Sequence, residues 1–426
     1  MKLLIILRGV PGCGKSTWAK NNFEGYIICP DDIRLMYCAP EMKVDGTFGI
    51  SQKADKCVWE FVFKVLEQRM KLGCLTVIDA THTKESAINA YKKLCEKYNY
   101  TCYVKDFSEV PLETCKNRNK HRMGCFKFVP EEVIERMYEN LTSSKIPSWC
   151  KSFKEIEDDV TLVSDMKQVK ADNYDEVFFI GDIHGCYNPL EKFFKEHPFK
   201  ETNLYVFVGD YIDRGTQNKE VLEFLIKHSY SHKNCIFLRG NHEKWLDLYS
   251  KGFIEEIKSK QFLDHTMKEI KDISKVAIKD FTDKLVDWTC IEFNHSYYYV
   301  THGGIPEFHL YLSSKQVING VGGYEESEKV DAHWSKGGMY SIHGHRNIYN
   351  VPVHNTEYTY NLCSDVEKGG YLRILGLSRY GIQTLIYKND LPVLQNITDT
   401  LYESLKPSVS KPCDEYFSKL SKQEKE

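Results

Sequence analysis

Three short clusters recur along the second half of this chain at nearly equal intervals. They are GDIHG at 181–185, GDYIDRG at 209–215 and GNHE at 240–243, separated by 23 and 24 residues. Each follows an apolar run, the clearest being Leu204-Tyr-Val-Phe-Val208, and each spacer has room for one helix and one further strand. A strand–turn–helix–strand period of this kind predicts a parallel sheet, because the crossover returns every strand to the same edge. The clusters then meet at the carboxyl ends of adjacent strands, where open α/β sheets hold ligands. That edge would gather Asp182, His184, Asp210 and Asn241, an oxygen-and-nitrogen set suited to hard-to-borderline divalent metals. A carboxylate such as Asp210 can bridge two ions ~3.5–4 Å apart, which serves in-line attack on phosphorus. THGG adds His302, and IHGH adds His343 and His345. Any one of these residues alone reads as structural, but the spacing of the set does not.

The chain opens on a second strand-then-glycine pattern, LLIILRGVPGCGKST. Gly9, Gly12, Cys13, Gly14, Lys15, Ser16 and Thr17 belong to a G-x-x-x-x-G-K-S/T loop between a strand and a helix, the context that motif requires. Glycines let successive N–H groups turn inward around phosphate oxygens, and the helix start adds its positive end. Lys15 can reach the β and γ phosphates and Ser16 can ligate Mg²⁺, so ATP or another NTP with Mg²⁺ is the expected cofactor. Asp31, Asp32 and Arg34 follow the apolar run 26–29. A carboxylate at such a strand end can take the proton from an attacking hydroxyl; the bland reading is a helix cap. Asp79, Thr81 and His82 lie at another strand end, and Arg118 and Arg122 stand one helical turn apart. Lys43-Val-Asp45-Gly46 fits the ligase signature K-x-D-G, but a ligase domain has no room before the elements at Asp79, so a turn is expected.

Length and composition bound the rest. At 426 residues there is material for two or three domains. Lys and Arg number 57 against 60 Asp and Glu, so no overall basic charge marks a nucleic-acid binder, although a local groove remains open. The 15 cysteines form no C-x-x-C pair, which fits a reduced, cytoplasmic protein. No apolar stretch approaches the ~20 residues of a membrane span. Strand-like runs alternate with helical segments such as 56–71 and 85–98, giving a domain over 1–155. A charged linker is expected over 156–175 and a second α/β domain over 176–426. The segment 255–287 reads as helical, and the tail 418–426 as frayed. Most of the 27 tyrosines and 22 phenylalanines are expected in cores, although some can stack nucleobases.

GVPGCGKSTWA, Asp31-Asp32-Ile-Arg34, Asp79-Ala-Thr-His82 and Arg118-Asn-Lys-His-Arg122 occur in the order found in the phage and bacterial polynucleotide kinases, and residues 1 to about 150 resemble that kinase domain. The resemblance implies that Asp31 is the general base for a 5′-hydroxyl and that Arg34 holds the acceptor nucleotide. It also implies that Arg118 and Arg122 form the phosphate-clamping lid, with Arg122 stabilising the transferring group. The family usually has Asn where this chain has His82, which introduces the expectation of pH-sensitive acceptor binding.

Residues 176 to about 390 resemble the calcineurin-like metallophosphoesterases, with a sandwich-type α/β fold. This implies that Asp182, His184 and Asp210 hold one metal, and Asp210, Asn241, His302 and His345 the second, with Mn²⁺ first and Ni²⁺ or Fe as alternatives. His242 would protonate the leaving oxygen, Asp213 would orient it, and Arg214, with Arg239 as a further candidate, would grip phosphate. Relatives acting on polynucleotides continue with N-I-D-T-G; here the stretch is Asn361-Leu-Cys363-Ser-Asp365, with the assisting Asp replaced by Cys363 or shifted to Asp365. The two halves together resemble end-healing polynucleotide kinase–phosphatases. The expected partners are RNA or DNA ends, a separate ligase and a second copy of the chain, in the cytoplasm (the host's, if the source is viral). The rival readings are a small-molecule kinase fused to a phosphoprotein or dinucleoside-polyphosphate phosphatase, and a non-catalytic nucleotide sensor.

Overall fold

The computed structural model describes residues 2–43, 46–153, 168–309, 311–334, 338–346 and 354–391. It divides into two compact units, Met1–Met166 with Phe308–Gln316, and Lys167–Glu307 with Val317–Glu426. Among the described residues, no helix is long and apolar enough to cross a membrane.

The strands of the first unit are β1 (Leu3–Arg8), β2 (Ile27–Ile28), β3 (Glu41–Met42), β4 (Phe48–Gly49), β5 (Thr76–Ile78), β6 (Thr101–Asp106) and β7 (Lys151–Ser152). Its main sheet has the order β2-β5-β1-β6-β7 and is parallel throughout. All six residues of β1 are buried, which explains the unbroken apolar run at the start of the chain: a central strand covered on both faces has no polar side. Helix α1 (Lys15–Phe23) follows the loop, α2 (Pro30–Tyr37) follows β2, and α3 (Asp55–Lys71) covers the sheet. Val58, Val62, Leu66 and Met70 form the buried stripe of α3 at every fourth residue, each worth roughly 1.5–3 kcal/mol against exposure. The expected helix 85–98 is broken into Glu85–Asn89 and Lys92–Tyr98, with the Tyr91 ring between them buried in the core.

Residues 308–316 complete this unit. The Tyr311 ring stacks on Tyr26 with centroids 4.6 Å apart and planes at 21°, and its hydroxyl donates to the Asn22 carbonyl at 2.9 Å. The N–H groups of Ser314 and Lys315 donate to the carbonyls of Gly73 at 3.1 Å and Leu72 at 3.2 Å. Gly73 has φ of +70°, and a Cβ there would lie 2.3 Å from the Ser314 Cβ, so the approach requires glycine.

The second unit contains β8 (Gln168–Lys170), β9 (Glu176–Ile180), β10 (Asn203–Phe207), β11 (Cys235–Phe237), β12 (Trp288–Phe293), β13 (Ser296–Thr301), β14 (Met339–His343), β15 (His354–Thr356), β16 (Thr359–Asn361), β17 (Tyr371–Ser378) and β18 (Gly381–Lys388). They form two mixed sheets, ordered β11-β10-β9-β17-β18 and β15-β16-β14-β13-β12-β8. Alternation along β9 and β10 decides what packs where. Val177, Phe179, Leu204 and Val206 face Ile291, Val300 and Ile342 of the other sheet. Phe178, Ile180, Tyr205 and Phe207 join Leu190, Phe193, Val221 and Leu225 of the crossover helices Tyr187–Glu196 and Asn218–Ser231. The expected linker includes β8, which pairs in parallel with β12; three residues are too few to show a strand period in sequence. The expected helical stretch 255–287 is only partly helical, its longest helix being Lys275–Lys284. Of K-x-D-G, Val44 and Asp45 lie outside the described residues; the Gly46 N–H returns to the Lys43 carbonyl at 3.0 Å, as a turn does. The tail 418–426 also lies outside the described residues.

Candidate functional site

In the second unit each ligand-type residue lies just past the end of a strand. Asp182 and His184 follow β9, Asp210, Asp213 and Arg214 follow β10, Asn241 and His242 follow β11, His302 follows β13 and His345 follows β14. The turns are tight enough to force His184, Asp210, Asp213, Arg214 and His345 to φ of +45°, +50°, +70°, +69° and +63°. Left-handed backbone costs a non-glycine residue about 1–2 kcal/mol, and such outliers gather where side chains must be aimed.

Asp210 is the hub of the cluster. Its Oδ2 lies 3.0 Å from His302 Nε2, 3.7 Å from His184 Nε2 and 3.9 Å from His345 Nδ1. Asn241 Oδ1 is 3.3 Å from His302 Nε2. The outer nitrogens are committed to the fold: His302 Nδ1 bonds the Val208 carbonyl at 3.0 Å and His184 Nδ1 the Ile212 carbonyl at 3.3 Å. These bonds turn both Nε2 atoms to the centre. Asp182 Oδ2 accepts the His345 N–H at 2.9 Å, whereas Asp182 Oδ1 is buried without any hydrogen-bond partner. An orphaned buried carboxylate oxygen costs about 1–3 kcal/mol or more, and a divalent cation satisfies it. The donor groups His184–Asp210–His242 and Asp210–His302–His345 each lie within 4.8 Å of one another. The residues therefore fit a pair of divalent ions. Glycines flank them from need: a Cβ on Gly344 would stand 2.0 Å from Asp182 Oδ1, and one on Gly240 2.2 Å from Asp210 Oδ1.

His242 borders this cluster. Its Nδ1 bonds Asp213 Oδ2 at 2.7 Å, and the other Asp213 oxygen accepts the Thr266 hydroxyl. Burial disfavours the imidazolium, but Asp210 and Asp213 outweigh it and raise the His242 pKa above the usual histidine value. The hydrogen bond to Asp213 fixes the orientation of the ring at the edge of the cluster. Arg214 Nη1 is 3.2 Å from His184 Nε2 and donates to Glu367 Oε1 at 2.9 Å. The Tyr324 hydroxyl meets His345 Nε2 at 2.9 Å.

The structure separates the two candidate histidines. His343 Nε2 is 3.2 Å from Asp331 Oδ1 and its Nδ1 is 2.9 Å from the Gly344 carbonyl oxygen; it is structural, and His345 reaches Asp210. Arg239 is tied into the fold: its Nη2 donates to the Thr282 carbonyl at 3.0 Å and its Nε lies 3.5 Å from Asp287. Asp365 pairs with Lys368 at 2.9 Å, while the Cys363 side chain is buried. The carboxylate that enters the site from this stretch is Glu367, which no motif announces. Glu243 was visible in GNHE, but its task is backbone support: it accepts the N–H groups of Asp210, Tyr211 and Gly240 at 3.0, 2.9 and 2.7 Å.

In the first unit, Gly12 and Gly14 of the loop have φ of +86° and +105°. Lys15 Nζ folds onto the loop carbonyls of Gly9 at 2.8 Å and Val10 at 2.9 Å, with Cys13 Sγ at 3.5 Å. Ser16 and Thr17 are exposed at the helix start. Arg118 Nη1 reaches the Cys13 carbonyl at 3.5 Å. The half-buried Arg122 side chain has no hydrogen-bond partner among the described residues. Asp31 and Asp32 lie in the first turn of α2 without capping it. Asp31 pairs with Arg34 at 2.7 Å and Asp32 with Lys127 at 3.0 Å, and Arg34 is held also by Asp55. Asp79 is buried at the end of β5.

His82 departs from expectation. It is buried, with Nδ1 2.8 Å from the Leu7 carbonyl oxygen and Nε2 3.0 Å from the Tyr91 hydroxyl. Burial pushes its pKa down to about 4. It stays neutral near pH 7, so acceptor binding acquires no pH switch from it.

Comparison with known proteins agrees with this division. Residues 4–143 match the family model of the AAA domain, and residues 176–387 that of the calcineurin-like phosphoesterases. The chain is therefore a P-loop, kinase-like parallel-sheet domain followed by an α/β calcineurin-like metallophosphoesterase domain. Among solved structures, a protein described as a diadenosine tetraphosphatase is 18% identical, with 52% of this chain and 98% of that chain covered and a TM-score of 0.39. A protein serine/threonine phosphatase from Saccharomyces cerevisiae is 14% identical, covering 64% and 100%, at TM-score 0.38. A cold-active protein tyrosine phosphatase is 18% identical, covering 59% and 87%, at 0.37.

Proposed function

We propose that this chain is a bifunctional end-healing enzyme. It phosphorylates 5′-hydroxyl ends of a polynucleotide, RNA foremost, with ATP and Mg²⁺, and removes a 3′-phosphate or 2′,3′-cyclic phosphate with a divalent metal such as Mn²⁺. The observation that carries the reading is that one chain holds both a phosphate loop followed by Asp31–Arg34 and a buried Asp/His cluster bordered by the His242–Asp213 pair.

On the kinase side, Lys15 leaves its loop carbonyls for the β and γ phosphates, and Arg118 and Arg122 close on the transferring group. Asp31 takes the hydroxyl proton, and Arg34, held by Asp55, orients the acceptor. On the phosphatase side Asp182, His184, Asp210, Asn241, His302 and His345 would hold the ions, which when bound supply Lewis acidity and lower the pKa of an attacking water. Arg214 takes up phosphate oxygens. His242 gives its proton to the leaving oxygen, and Asp213 stabilises the imidazolium before transfer.

The test is to incubate RNA bearing a 5′-hydroxyl and a 2′,3′-cyclic phosphate with ATP, Mg²⁺ and Mn²⁺ and to map both ends. A 5′-phosphate and a 3′-hydroxyl are expected. Unchanged RNA from a preparation that hydrolyses p-nitrophenyl phosphate would overturn the polynucleotide assignment and favour a small-molecule kinase with a separate phosphatase.

A further inference from the structure

We propose that Glu367 is a positioning residue for phosphate recognition, fixing Arg214 so that the Nε and Nη2 edge of its guanidinium faces the phosphoryl group. The inference rests on the phosphatase reading above. Only Nη1 of Arg214 is engaged, by Glu367 Oε1 at 2.9 Å and beside His184 Nε2 at 3.2 Å; Nε and Nη2 have no hydrogen-bond partner among the described residues. These two nitrogens form the fork that binds two oxygens of a phosphate at once. The Arg214 side chain is 27% exposed and that of Glu367 5%, so one end of the pair is anchored and the other open.

Two features argue that Glu367 does more than fill space. Its Oε2 is buried without a partner, and a buried carboxylate with a free oxygen is a poor way to gain stability, since an apolar residue would serve as well or better. Its backbone is also firmly placed. The turn Val366–Lys368 is entered through Asp365 at φ +46° and left through Gly369 at φ +83°, and the Asn389 amide donates to the Val366 carbonyl at 2.9 Å. Asp210 is the other acidic residue whose charge acts strongly on Arg214. Without Glu367 the guanidinium would lean onto Asp210 and His184, the residues needed for metal. His184 Nε2 also serves that purpose, so its contact with Arg214 gives way in the loaded site and Glu367 remains as the anchor.

The experiment uses full-length Mn²⁺-loaded protein, Glu367→Gln, Arg214→Ala and the double variant, with inorganic phosphate binding measured by calorimetry and p-nitrophenyl phosphate hydrolysis by initial rates. Glu367→Gln should weaken phosphate binding and raise KM about tenfold while kcat changes less than about threefold. Bound manganese should not change. In the Arg214→Ala background Glu367→Gln should have no further effect, because the two act as one unit. Unchanged phosphate affinity in the single variant, or equal losses in both backgrounds, would overturn the proposal. A wild type that binds phosphate but hydrolyses nothing would instead sink the phosphatase reading, leaving the binding cycle to decide on Glu367. Should Glu367→Gln not fold, Glu367→Asp keeps the charge but shortens the reach, and the same loss of phosphate affinity is expected; full affinity there counts against the tether.

Discussion

The ring of His82 is closed in between the Leu7 carbonyl and the Tyr91 hydroxyl. Taking Nδ1 as the donor to Leu7, Nε2 accepts from Tyr91, and a second proton would break that bond inside the core. With a folded pKa of about 4 against 6.5 in the unfolded chain, the unfolded state binds the extra proton between those values. Stability from this group is thus fully present above pH 6.5 and falls as pH drops toward 4, by about 3 kcal/mol in all. His82→Asn should lose some stability at pH 7 but flatten this acid limb in urea titrations at pH 7 and pH 4.5. Equal acid losses in both proteins would refute it. In the second unit, His242→Ala should cut phosphatase kcat by about 10²–10⁴ for alkyl esters and much less for p-nitrophenyl esters, whose leaving oxygen needs no proton. A uniform loss across leaving groups would remove the proton-donor role.

Between strands, Glu243 is a staple. One carboxylate gathers three N–H groups from the turns after β10 and β11, the turns that present Asp210 and Asn241. Glu243→Ala should therefore weaken Mn²⁺ affinity about 10–100-fold and lower the melting temperature; isothermal titration on folded protein checks the first. The strands β1, β9 and β10 were legible because burial on both faces leaves runs with no polar interruption. The three-residue β8 was not, nor was the break between Asn89 and Lys92, where no Gly or Pro marks a stop. The metal-type ligands were legible because each is tied to a glycine that its turn demands. Glu367 carried no such signal, and the contacts of Arg239 with the Thr282 carbonyl and Asp287 could not be read from a charge after a strand. The choice between His343 and His345 depended on Asp331, twelve positions upstream and outside any motif.

At the scale of the molecule, the two proposed chemistries draw on separate residues, so point variants should separate them. Lys15→Ala is expected to abolish phosphorylation and leave phosphatase rates within about threefold of wild type, as two parallel assays on one preparation would show. Cutting the chain is another matter. A fragment ending at residue 166 lacks the Tyr311 ring on Tyr26 and the two backbone bonds to Leu72 and Gly73. It should melt below a version supplied with residues 308–316 as a peptide; indistinguishable melting curves would show that the segment contributes nothing. The same segment sets a schedule for synthesis. Its Gln316 leaves the ribosome about 150 residues after Met166, a delay of roughly 8–30 s at 5–20 residues per second. Throughout that interval the sheet of the first unit must stand without its last piece, with the edge formed by Tyr26, Leu72 and Gly73 open to whatever chaperone or neighbouring chain reaches it first.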